Sequence, residues 1–97
     1  MLIIWTKPAK KDLRKIFNYF KLKVSINLAR KITNSILAKT SILETHNIGV
    51  KEQVLAQLQQ EHRYIIEGNY KIIYLIKDSA VYITHVFDSR QNPDKLK

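Results

Sequence analysis

The sequence predicts a single α+β domain over residues 1–97, ordered β-α-α-β-β-β, with a helical hairpin packed on an antiparallel sheet. Three observations carry this. Apolar residues recur at helical spacing through the first 43 residues, then in β-branched and aromatic runs after residue 63. Turn-forming residues fall between these segments. A length of 97 residues with 45% hydrophobic content, two Gly and two Pro suits one packed core and excludes a disordered tail.

Each element follows from local chemistry. The apolar run over residues 2–5 reads as a short, largely buried strand. Thr6 is placed to cap a helix, and Pro8 falls in the first turn, where its missing N–H costs nothing. Leu13, Ile16, Phe17 and Phe20 then repeat at i, i+3, i+4 and i+7, with Lys7, Lys10, Lys11, Arg14, Lys15 and Lys21 on other faces. The connection around 21–24 is short, so a second helix capped by Ser25 folds back on the first. Its stripe is Leu28, Ala29, Ile32, Ile36 and Leu43, and Asn47, Ile48 and Gly49 interrupt it. Residues 50–60 fit either a turn or two of helix or an exposed connection, with the helical reading preferred. Runs over 64–66, 70–76 and 81–87 are strands of a meander. Hairpin connections at 67–69 and 77–79 separate them. The middle strand is apolar on both faces and is therefore central.

The absence of cysteine excludes a disulfide framework and the common Cys-based zinc sites. His46, His62 and His85 lie 16 and 23 residues apart without close second ligands, so no metal is expected. No cofactor motif is present either. Five apolar residues before Lys7 are too few for a signal h-region of about 7–15 residues or a spanning helix of about 20. A cytoplasmic protein with no membrane partner is the expectation.

The charge of +9 is unevenly placed. Residues 1–43 hold ten Lys or Arg against one acid, Asp12, and residues 44–97 hold seven of each sign. Such a basic half either keeps a small protein solvated or attracts a polyanion or an acidic protein. Nucleophilic triads and Gly-rich phosphate loops are missing. His85 reads as a satisfied, half-buried histidine sharing a strand face with Ile83 and Phe87, and the carboxylates read as surface acids.

What remains is a sparse cationic set: Arg63, Lys71 and Arg90. If Arg63 lay across from Lys71, the two would mark one sheet face and could hold a phosphate without a metal. The alternative has Lys71 snorkelling beside Ile73 while Arg63 pairs with Glu61 or Glu67.

The stretch HRYIIEGNYKIIY at 62–74, a following strand, and VFDSRQNP at 86–93 resemble the C-terminal half of the RelE/ParE superfamily of type II toxins. Members carry Arg-x-x-x-x-Gly-x-Tyr-Arg-x-x-Tyr and then a strand ending in a Val-x-His-x-Arg-like segment. The strand-first, two-helix start matches too. The resemblance implies the RelE/ParE fold, no cofactor, and a toxin co-encoded with a cognate antitoxin, the arrangement behind plasmid stabilization. RelE-like members cut mRNA in the ribosomal A site, whereas ParE-like members inhibit DNA gyrase.

Carried over by position, the hairpin arginine of the family falls on Lys71, which lacks a guanidinium fork. The tail histidine falls on Asp88, while Arg90 matches the tail arginine. No Tyr or His follows Phe87. These departures resemble the ParE-like members, which implies growth arrest through a gyrase inhibitor. If the chain were instead a metal-independent mRNA interferase, Arg63, Lys71 and Arg90 would be its catalytic candidates. A non-catalytic interaction module of the same fold is the third reading. Lys11, Arg14 and Lys21, with Phe87 and Arg90, are the candidate partner contacts.

Overall fold

A computed structural model describes residues 1–45, 50–51 and 62–90. Strand β1 (Leu2–Trp5) leads into helix α1 (Lys7–Lys23) and helix α2 (Ile26–Ser41), which closes in a 3-10 turn (Ile42–Glu44). Strands β2 (Val50–Lys51), β3 (His62–Glu67), β4 (Tyr70–Lys77) and β5 (Ala80–Asp88) follow.

Both caps form as the sequence suggests. The Thr6 hydroxyl accepts the Ala9 N–H and donates to the Ile83 carbonyl at 2.7 Å, so one side chain starts α1 and ties it to β5. Ser25 accepts the Leu28 N–H at 3.1 Å, and α1 runs to Lys23, leaving Val24 and Ser25 as the connection. Ala9 is fully buried in the core cluster, while Leu13 and Ile16 of the apolar stripe pack partly buried against it. On α2 the buried residues are Ala29, Thr33, Ile36 and Thr40. The two threonines satisfy their hydroxyls by bonding back to the Ala29 and Leu37 carbonyls. Leu43 is buried as expected, though in the 3-10 turn rather than in α2.

The sheet order is β1-β5-β4-β3-β2. It is mixed, not antiparallel: β1 pairs parallel to β5, with Leu2 beside Ala80 and Trp5 beside Ile83. The other ladders are antiparallel. The parity comes from β2. Val50 and Lys51 are extended and pair with Tyr64 and Arg63, where the sequence favoured helix. That edge strand adds one reversal to the path, so the last strand runs with the first. Residues 52–60 of the ambiguous stretch, and the break at 47–49, lie outside the described residues.

Strand β4 is central, with Ile72, Ile73 and Tyr74 fully buried in succession. Both meander turns are two-residue loops. Gly68 takes φ +59° in the first, and Asp78 and Ser79 take +52° and +62° in the second, as a primed hairpin turn requires. The helix-facing side of the sheet supplies Ile65, Ile72, Tyr74, Val81, Ile83 and Val86 to a core closed by Ala9, Ile36 and Leu43.

One irregularity was not foreseen. Ile73 pairs with His85 but Tyr74 pairs with Ile83, so Thr84 is an extra residue and β5 is bulged there. The bulge breaks the alternation. Ile83 stays on the core side beside Tyr74, and His85 shares a face with Phe87 but not with Ile83.

Candidate functional site

Register decides which cations meet. Lys71 pairs with Ile66 on β3 and with Phe87 on β5, on the face turned away from the core. Arg63 pairs with the core residue Tyr74 and stands three residues from Ile66. Period-two alternation therefore puts Arg63 and Lys71 on opposite faces of the sheet. They do not form a pair.

Lys71 sits among aromatic rings. Its Nζ lies 4.2 Å from the centroid of the Tyr64 ring and 5.9 Å from that of Phe87. A ring face attracts an ammonium through its quadrupole, so the two rings hold the charge near the sheet surface. Ile66 beside them is exposed.

Arg90 is also engaged. Its Nε donates to Asp88 Oδ1 at 2.9 Å, a guanidinium NH2 donates to Oδ2, and its backbone N–H donates to Oδ1 at 2.9 Å. This fork holds the Asp88 carboxyl below the usual carboxylate range, chiefly through the side-chain hydrogen bond, and it raises Arg90 in turn. Asp88 is therefore an anion at neutral pH, at the position matching the tail histidine. Nearby, burial and then the Asp88 charge push the Tyr70 phenol upward, so Tyr70 is neutral.

The partner candidates separate into two groups. Lys11, Phe87 and Arg90 line a groove of about 800 Å³ between α1 and β5, together with Lys15, Tyr19, Tyr70 and His85. Arg14 and Lys21 are exposed on α1 but do not line it.

Asp12 is the groove residue that the motifs do not point to. It is the one acid among ten cations, and its carboxylate Oδ2 accepts the Val86 N–H at 3.0 Å. The same oxygen lies 3.7 Å from His85 Nδ1. Strand β1 stops beside Ile83, so among the described residues β5 has no strand neighbour on that side from Thr84 onward. Asp12 reaches over from α1 and fills the first vacant donor. A lone acid in a basic helix was the available signal.

Among the described residues no group of three or more His, Asp or Glu is placed to hold a metal ion, and no helix is long and apolar enough to cross a membrane.

The comparisons agree with this architecture. The family described as the ParE toxin of the type II toxin–antitoxin system parDE matches residues 3–93. A search of curated proteins finds no significant match. Among solved structures the chain is similar to the chromosomal ParDE toxin–antitoxin system from P. aeruginosa, with TM-score 0.77 and 17% identity, over 91% of this chain and 95% of that one. A weaker likeness joins it to the toxin–antitoxin complex RelBE2 from Mycobacterium tuberculosis, with TM-score 0.48 and 16% identity, over 90% and 95%. At such identity the ParDE structure speaks for the fold, and the family match, which spans nearly the whole sequence, speaks for descent: this chain belongs to the ParE toxin family of type II toxin–antitoxin systems.

Proposed function

We propose that this toxin arrests growth by binding and inhibiting DNA gyrase, without catalysis of its own, and that a co-encoded antitoxin neutralises it. The observation that carries this reading is the separation of the cations. Metal-independent RNA cleavage needs several positive groups converging on one phosphate as charge develops there. Here Arg63 and Lys71 stand on opposite faces, and the Arg90 fork is closed on Asp88. The excess positive charge lies instead in residues 1–43, which form β1 and the helical hairpin. A basic helical surface suits contact with an acidic protein face and fast association.

The deciding experiment adds purified protein to gyrase and relaxed plasmid, and in parallel to a translating extract. Loss of supercoiling, or trapped cleaved DNA, with intact message is the expected result. Full supercoiling at large molar excess, with codon-boundary cuts that vanish in Lys71→Ala, would overturn it in favour of ribosome-dependent cleavage.

A further inference from the structure

We infer that the tip where α1 turns into α2 is the anchor this toxin presents to its target, an apolar knob beside lysines that seats in an apolar recess on an acidic protein surface. The local sequence builds the knob. Leu22 falls two residues past Phe20, which turns it about 200° round the helix from the end of the apolar stripe. Val24 closes α1 and Ile26 opens α2. Their side chains stand exposed, Leu22 at 81%, Val24 at 62% and Ile26 at 39%. A single exposed leucine needs no explanation, but three such residues within five positions form a patch. None of the three lines the groove between α1 and β5, so the knob is a separate surface.

Rigidity argues next. The Val24 and Ser25 N–H groups both donate to the Phe20 carbonyl at 2.9 Å, and the Ser25 hydroxyl accepts the Leu28 N–H. The connection is fixed by its own hydrogen bonds, so presenting these side chains costs little further ordering on contact. A preformed apolar anchor contributes most where a pocket receives it and water is excluded around it. Charge selects the pocket. Lys21 and Lys23 flank Leu22, both are exposed, and no acid occurs from residue 13 to residue 43. These lysines also lie at the negative end of the α1 dipole, which accounts for cations there but not for the apolar side chains between and beyond them. Phosphates would satisfy the lysines and leave Leu22 and Val24 in water. A second copy of this chain would bring like charge. An apolar recess with an acidic rim meets both features. That the recess belongs to gyrase rests on the function proposed above.

The test uses the full chain and purified DNA gyrase. Leu22→Ser with Val24→Ser should raise the concentration for half-inhibition of supercoiling about tenfold or more. Leu37→Ser, at an exposed apolar position near the other end of α2, should raise it about twofold or less. Lys21→Glu with Lys23→Glu should also cost about tenfold at low salt, shrinking as salt is added, and Lys7→Glu with Lys10→Glu, equal in charge change but at the other end of α1, about twofold or less. All these positions are exposed, so circular dichroism should show an unchanged fold. Inhibition untouched by the tip serines, or weakened equally by them and by Leu37→Ser, would overturn the knob and leave the gyrase reading standing. Wild-type binding to phosphatidylglycerol vesicles that the tip serines abolish, with inhibition intact, would overturn it in favour of a membrane contact. Growth arrest in cells separates the two readings from the other side. A wild-type chain that arrests growth yet spares gyrase removes the gyrase reading alone, and the knob then stands if the tip serines relieve arrest and falls if they do not. A wild-type chain that arrests nothing removes both.

Discussion

The two faces of the sheet are built for different ends. The face under the helices is continuous core, where Ile72, Tyr74, Ile83 and Val86 meet Ala9, Ile36 and Leu43. The opposite face carries Tyr64, Ile66, Lys71 and Phe87, with a lysine among rings and an isoleucine in solvent. Both were drawn from runs that look alike in sequence, since β4 is apolar on either side. Composition therefore does not tell which face does what; register does, and it sends Arg63 to one face and Lys71 to the other.

Truncation should expose the contrast most sharply. Ile72→Ala, at a position with no exposed surface, removes buried methyl groups and leaves a cavity, at a cost of about 2–5 kcal/mol. Ile66→Ala, two strand positions along β3 from Tyr64 and 43% exposed, should stay within about 0.5 kcal/mol. Urea unfolding of the two variants measures this. Equal losses would mean that both faces are core.

The open end of β5 comes next. Asp12→Ala strips the acceptor from the Val86 N–H, a hydrogen bond to a charged group, and should cost about 1.5–3 kcal/mol. Asp12→Asn keeps a carbonyl acceptor and should lose less than half as much. A pair of variants equally stable to wild type would show that water replaces Asp12 at this edge.

Much of this was legible in the residues. Thr6 and Ser25 announce both caps, because a hydroxyl before an apolar periodic segment has one obvious use. Ile72, Ile73 and Tyr74 announce a central strand. The parallel β1–β5 ladder was not legible, since it depends on a reversal contributed by two residues, Val50 and Lys51, with no strand signal of their own. The bulge at Thr84 was hidden for a related reason: it is a property of two strands together, and β5 alone reads as unbroken alternation. Asp12 matters only because β1 ends at Trp5, beside Ile83 and short of the bulge, a fact of topology rather than pattern. The cationic set could be listed from sequence but not assembled, because assembly is register.

On the open face, the aromatic surroundings of Lys71 should give a measurable but modest effect. Lys71→Ala should cost about 0.5–1 kcal/mol, and Lys71→Arg, which can also lie over a ring, should recover most of it. The Tyr64→Leu and Lys71→Ala changes should then be less than additive in a double-mutant cycle. Strict additivity would mean that the ammonium and the ring do not interact.

The smallest expected effect lies where the two faces run out, at Asp88 and Arg90. Asp88 is held below its ordinary range, so the folded chain binds its proton less readily than the unfolded chain does. By linkage, that contribution is complete above the unfolded-state value of about 4 and fades as pH falls through the lower folded value. Asp88→Asn removes the carboxylate at every pH. Its deficit relative to wild type should therefore be present at pH 7 and shrink as pH falls below the unfolded-state value of about 4. The pair is solvent-facing, with the Arg90 side chain 70% exposed, so added salt should shrink the deficit as well. Paired urea titrations across this range read the difference directly. The absence of a deficit at any pH would locate the role of Asp88 in its backbone-capping bond to the Arg90 N–H, which an asparagine oxygen can also accept, and not in its charge.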